Sequence, residues 1–296
     1  MEIREIEAKS ILNKLKQPDS WFRCRYTMNI YRGCEHGCHY CDGRSSKYWK
    51  EGENLAFSER VQVKTNAPQL LDKELRKIRK KEVLCMGGGV NDSYQPVESK
   101  YELTRNCLYY IKINAFPLHL MTKSTLIERD IEVIREIADK TWCFVSFSFS
   151  TPEKKWAKVL EPEVALPERR LQTMKKLVDA GISCGVTFMP ILPYITDSPE
   201  SLEEMFRLAK EHGASYVMDS PLTLHESQKE YFFDLMQKTP SLRRFVKRYE
   251  RLYGSREAPY GKVMQQINRN CFNLSKKYNM PRSMPEFKDK ETQKTL

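Results

Sequence analysis

No run of eighteen apolar residues occurs in this sequence, so no stretch reads as a membrane-spanning helix. The opening MEIREIEAKS is charged and lacks the apolar core of a signal peptide. A cytoplasmic protein with no membrane partner is therefore expected. Low-complexity tracts and internal repeats are also lacking, apart from an alternation of strand-like and helix-like segments described below. Paired CxxC units of the structural-zinc kind do not occur. No glycine run carries the Gly-Lys-Ser/Thr ending of a Walker loop or the GxGxxG spacing of a dinucleotide loop.

What is present is a 296-residue chain, 40% hydrophobic, long enough for one large α/β domain. The net charge of +11 is concentrated. Residues 241–296 hold fourteen Lys or Arg against five Asp or Glu, which suits either an anionic partner or a solvated helical face. Nine cysteines, an odd number, favour metal binding over a disulfide framework. Three of them crowd into Cys34-Glu-His-Gly-Cys38-His-Tyr-Cys41, and the other six are scattered as small buried hydrophobes would be.

Short apolar segments at 83–86, 116–121, 142–149, 182–189 and 215–219 read as strands buried on both faces, and 25–33 as a first strand before them. Helical stripes lie between: Leu71, Leu75 and Ile78; Leu103, Cys107, Tyr110 and Ile111; Ile127, Ile131, Ile134 and Ala138; Leu171, Met174 and Val178; Leu202, Met205, Phe206 and Ala209. Asp197-Ser198-Pro199 predicts the start of the last of these, and Gly181 and Gly213 predict helix ends. About six βα units follow, hence a parallel sheet closed or partly closed into a barrel, with an open Rossmann-like sheet as the structural rival. The segment 225–279 reads as basic helices, and the chain after Pro281 as a loose tail.

In a parallel barrel, chemistry gathers at the C-terminal ends of the strands. The unusual polar residues fall there each time. Cys34, Cys38 and Cys41 follow the first strand; Gly87-Gly88-Gly89 and NDSYQP follow the second; Thr122-Lys123-Ser124 follow the third. Ser146 and Ser148 end the fourth and share a face. Pro190 ends the fifth, and Asp219-Ser220 the sixth. Three thiolates on a short loop, turned by Gly33 and Gly37, can hold three irons of a [4Fe–4S] cubane and leave the fourth iron open, since a closed centre normally takes four cysteines. A zinc site completed by His36, His39 or Cys24 is the alternative. The glycine run suits close backbone approach to a small polar ligand, or a plain turn. Lys123 and Arg170 are candidate cations for a ligand carboxylate.

These residues resemble the radical S-adenosylmethionine superfamily. MNIYRGCEHGCHYC, NDSYQPVE, TKSTLIERD, PERRL and MPILPYITD are most similar to its spore photoproduct lyase-related branch, over residues 20 to 220. The resemblance implies a partial (β/α)6 TIM-like barrel over 21–222, behind an N-terminal extension (1–20) and before a basic helical segment (223–280) and a flexible tail (281–296). It implies S-adenosyl-L-methionine chelated to the open iron, and one-electron cleavage to methionine and a 5′-deoxyadenosyl radical that abstracts hydrogen from substrate. By motif, Gly87, Gly88 and Gly89 would meet the amino group. Lys123, Ser148 and Arg170 would hold the carboxylate or ribose. Asp92, Tyr94 and Gln95 would line the adjoining pocket. A reductant such as flavodoxin or ferredoxin is the implied partner.

Two departures stand out. Asp42 follows the third cysteine, where many relatives have tyrosine. Gly89 occupies the place of the hydrogen-donating cysteine expected in true photoproduct lyases, which argues against photoproduct repair itself. The remaining readings are a radical enzyme acting on nucleic acid, with Phe245, Tyr249, Tyr253 and Tyr260 interleaved among basic residues; one modifying a peptide, protein or small metabolite; and a non-catalytic cluster or zinc protein.

Overall fold

The computed structural model describes residues 1–49, 57–88 and 90–287. In chain order its elements are β1 (Glu2–Ile6), β2 (Leu12–Lys14), β3 (Tyr26–Met28), β4 (Tyr31–Arg32), β5 (Arg60–Lys64), α1 (Ala67–Leu75), β6 (Leu84–Met86), α2 (Glu98–Tyr101), α3 (Leu103–Ile113), β7 (Leu118–Thr122), α4 (Ile131–Lys140), β8 (Cys143–Phe149), α5 (Lys154–Leu160), α6 (Pro167–Asp179), β9 (Ser183–Ile191), α7 (Pro199–Glu211), β10 (Val217–Pro221), α8 (Glu226–Lys238), α9 (Pro240–Arg243), α10 (Val246–Tyr253) and α11 (Gly261–Tyr278).

The main sheet runs β10-β9-β8-β7-β6-β3-β2. Every neighbouring pair is parallel except β2 with β3. Six parallel strands alternating with helices make the partial (β/α)6 barrel, and β2 and β10 are its unclosed edges. Both faces of the strands are buried, but only one is apolar throughout: Val145, Phe147, Val186 and Phe188 share a face and are fully buried, while Ser146, Ser148 and Thr187 alternate with them on the other. Helices supply the outer layer with their apolar stripes. On α7 the expected Leu202, Met205, Phe206 and Ala209 are all buried, and the Ser198 hydroxyl accepts from the Ser201 N–H as the cap. On α3 the stripe is narrower than expected: Tyr110 is only half-buried, and Leu108 packs inward instead.

Three expectations are corrected. The single first strand at 25–33 divides. β3 stays in the barrel, and β4 turns out to pair antiparallel with β5 in a second sheet of order β1-β5-β4. Both β1 and β5 escaped the sequence reading because charged and polar residues predominate in them, although Val61 and Val63 of β5 alternate inward and are fully buried. Finally, the stretch from Pro281 to Phe287 is packed rather than loose. The Val217 N–H donates to the Pro281 carbonyl (2.9 Å) along the open β10 edge, and Met284 is buried against Tyr216 and Met218. Phe287 meets the Trp142 ring edge-on at 6.2 Å. This segment covers the N-terminal ends of the strands; the rest of the tail lies outside the described residues.

Candidate active site

At the opposite, C-terminal end of the strands lies a cavity of about 350 Å³, within the range of small-ligand sites. Cys34, Cys38 and Cys41, on the loop that follows β3 and β4, border it, and five of the six parallel strands contribute from their ends: Gly87 after β6, Lys123 after β7, Ser148 from β8, Pro190 from β9 and Ser220 from β10.

The cysteine loop is held from several sides. Gly33 has φ +88°, and a Cβ there would lie 2.2 Å from the Arg60 carbonyl oxygen, so only glycine lets β5 pass this close. Arg44 donates to the carbonyls of Cys38 (3.1 Å) and Gly37 (2.8 Å). Gln95 donates to the Gly33 carbonyl (3.1 Å) and accepts from the Glu35 N–H (2.9 Å). Burial pushes the Cys34 thiol well above its ordinary value, and the Asp92 carboxylate adds to this. Burial likewise pushes Cys38 up to about 12, partly countered by Lys123. Cys41 moves the same way. These thiols keep their protons at neutral pH until a metal displaces them.

Asp92 ties the loops together. Its carboxylate accepts from the Thr122 hydroxyl (2.8 Å), the Lys123 N–H (2.7 Å) and the Tyr94 N–H (2.8 Å), with His36 Nδ1 at 3.4 Å. Burial would raise its pKa, but His36 and these donors outweigh it, and Asp92 stays below the usual carboxylate value. Gly87, at φ +83°, brings the second loop against β7: a Cβ would lie 2.4 Å from the Met121 carbonyl oxygen. Across the cavity the Ser148 and Thr187 hydroxyls bond each other at 2.8 Å. Ser146 lies deeper, bonded to His119 Nε2 (2.7 Å) and the Tyr216 hydroxyl (2.5 Å).

Not every expected residue reaches the cavity. Tyr94 is fully buried with its hydroxyl on Asp130 (3.0 Å), and Gln95 serves the loop backbone. Arg170 is fully buried too, donating to the Ser148 carbonyl (2.5 Å) and paired with Glu161 (2.5 Å), so the cavity wall stands between it and any ligand. Asp219 is held by Arg282 through two bonds of 2.6 Å. Gly88 lies above Cys85 and Met121, and Gly89 is outside the described residues. Conversely, Tyr40 and Thr187 line the cavity and were missed. Thr187 sits in an alternating strand opposite Ser148 and could have been found by that register. Asp42 also lines the cavity and accepts from the Tyr48 hydroxyl (2.7 Å).

The donor set fits a cubane better than a single zinc ion. Among the described residues, no three Cys, His, Asp or Glu side chains are gathered as one metal ion requires. Of the proposed fourth zinc ligands, His39 and Cys24 do not line the cavity, His39 meeting the Tyr231 hydroxyl (2.7 Å) and Cys24 lying beside Cys85, while His36 lines it with Nδ1 toward Asp92. Three separate thiols around one hollow match a cluster whose irons each take one sulfur.

A partial parallel barrel with three thiols on the loop after its first strands defines the class. The chain belongs to the radical SAM superfamily, whose sequence model matches residues 28–209. An uncharacterized protein of Mycobacterium tuberculosis is 32% identical over 259 residues, covering 86% of this chain and 74% of its own length. One of Methanocaldococcus jannaschii is 31% identical over 198 residues, covering 67% and 70%. In architecture the chain is similar to spore photoproduct lyase: one solved structure aligns with a TM-score of 0.70 at 13% identity, over 93% of this chain and 79% of that one. Another, with bound AdoMet and dinucleoside spore photoproduct, gives 0.69 at 13% over 93% and 78%. At that identity the likeness is one of fold. Superfamily membership implies an enzyme that uses S-adenosylmethionine, an iron–sulfur cluster and a reductant. Among the described residues no helix is long and apolar enough to cross a membrane.

Proposed function

We propose that the chain holds a [4Fe–4S] cluster on Cys34, Cys38 and Cys41, binds S-adenosylmethionine in the adjoining cavity, and abstracts hydrogen from a nucleic-acid substrate. The observation that carries this reading is the convergence of three thiols and five strand ends on one cavity. When bound, the cluster supplies the electron that cleaves the sulfonium and so provides a carbon radical able to take hydrogen from substrate. The chain's own residues bind and orient. Lys123 presents its charge to the ligand carboxylate, and Ser148 and Thr187 offer hydroxyls to carboxylate or ribose. The tight glycine at 87 leaves room for an amino group. Phe22, Tyr40 and Phe57 add apolar lining that limits water in the cavity.

The nucleic-acid assignment rests on charge. Arg243, Arg244, Lys247, Arg248 and Arg251 are exposed along one side of α9 and α10, and among the described residues none of them has a carboxylate partner. Such a row suits a phosphate backbone. One observation favours a second reading. Phe245, Tyr249 and Tyr253 are buried in a core shared with Leu192 and Leu222, and Tyr260 alone of the four aromatics is exposed. On that reading α8–α10 only close the cavity, and the substrate is a peptide, protein or small metabolite.

Anaerobic reconstitution with iron and sulfide, reduction with dithionite and addition of S-adenosylmethionine test the central claim. Formation of 5′-deoxyadenosine is expected; a chain that assembles no cluster and copurifies with zinc would falsify it. Salt-dependent retention on immobilised DNA or RNA favours the first substrate class, and its absence the second.

A further inference from the structure

Behind the cavity wall, outside its lining, sits a buried carboxylate with partners on three separate segments. Glu161 follows α5 and is 2% exposed. It accepts from the Tyr40 hydroxyl, from the Ser150 hydroxyl (2.9 Å) and from Arg170 Nη2 (2.5 Å). Arg170 in turn donates to the Ser148 carbonyl (2.5 Å) and lies over the Phe149 ring at 4.7 Å. Burial alone would push the Glu161 carboxyl up, but Arg170, Lys123 and the two hydroxyls outweigh it, so it stays ionised.

A buried ion pair is a poor way to gain stability, because desolvation offsets most of the attraction. Its placement here has another consequence. Both ends of the network terminate on the cavity: Tyr40 stands between two cluster cysteines, and Ser148 ends β8. The Tyr40 ring is also held at its backbone, where the carbonyl accepts from Gln228 (2.7 Å), and Lys123 Nζ lies 5.9 Å from its centre. A side-chain hydroxyl anchored 121 residues away in sequence leaves that ring one direction to point.

We propose that Glu161 is a positioning residue for the cofactor cavity: through the Tyr40 hydroxyl it fixes the ring of the residue that separates Cys38 from Cys41 along the loop, and through Arg170 it fixes the strand end carrying Ser148. This rests on the cofactor reading above and adds the group that holds two of its walls in register.

The test compares reconstituted wild type, Tyr40→Phe, Glu161→Gln and the double variant. Iron content, unfolding midpoint, the dissociation constant for S-adenosylmethionine by equilibrium dialysis, and the change that S-adenosylmethionine makes in the EPR signal of the reduced protein are measured. Tyr40→Phe should keep wild-type iron and weaken S-adenosylmethionine binding by about three- to tenfold, with a smaller EPR change. The double variant should be no weaker than the weaker-binding single, because both act on one contact. Wild-type affinity in Tyr40→Phe at equal iron overturns the inference, and so do two effects that simply multiply. Should Glu161→Gln fail to fold, Ser150→Ala, which removes a bond to the same carboxylate oxygen, replaces it with the same criteria. If wild type takes up no iron, the functional reading and this inference fall together; if only the variants behave as wild type, this inference falls alone.

Discussion

The two ends of the barrel are built from the same strands and carry opposite chemistry. At the C-terminal ends, thiols, hydroxyls, a lysine and tight glycines surround a hollow. At the N-terminal ends, Met284 and Phe287 close the bottom with apolar side chains against Tyr216, Met218 and Trp142. The difference follows from the βα connection. Loops after the strands face one rim and can vary without touching the core, whereas the strand starts must be sealed because the sheet does not close. Changes at the rim should therefore move ligand affinity and leave stability alone, and changes at the base should do the reverse.

The sharpest break in that contrast is Cys34→Ala, expected to abolish iron binding and 5′-deoxyadenosine formation together, as iron assay and chromatography would reveal. At the base, Met284→Ala should lower the unfolding free energy by about 3 kcal/mol, the usual scale for a buried methionine. Denaturant titration would measure it, and iron content and S-adenosylmethionine affinity should not change. Asp197 sharpens the comparison because it is a rim residue with a stability cost: burial pushes its carboxyl up to about 6. A carboxyl raised in the folded state contributes fully below the ordinary range near 4 and loses that contribution as pH rises through about 6. Asp197→Asn should thus stabilise the chain by ~2 kcal/mol at pH 7.5 and by little at pH 4.5. Equal effects at both pH values would refute this.

Lys123→Ala should weaken S-adenosylmethionine binding by about tenfold at unchanged iron and unchanged unfolding midpoint. The smallest expected effect is on the helices beyond the rim. Replacing Lys247 or Arg251 by alanine should reduce the salt slope of nucleic-acid retention by about one each, and a slope that does not move would favour the closed-cavity reading.

The order of the six parallel strands, the helices between them and the three cysteines at the first loop were legible from the residues. Buried strands read as apolar runs, amphipathic helices repeat at 3.6 residues, and CxxxCxxC has few other uses. The aromatics at 245, 249 and 253 showed their spacing in sequence but not their side. A packing stripe and a stacking surface share that period, and burial decides between them. Arg170 was ambiguous in the same manner: a lone arginine opening a helix says nothing about whether solvent, ligand or Glu161 meets it.

What the sequence determined by itself was local and periodic: which segments are strands or helices, and which loop carries the thiols. Only the tertiary structure decided that Pro281–Phe287 seals the base, that β4 leaves the barrel for a second sheet, and that Glu161 reaches Tyr40. Each of these joins residues far apart in the chain, and no local pattern encodes such a pairing because its free energy exists only once both surfaces have lost their water.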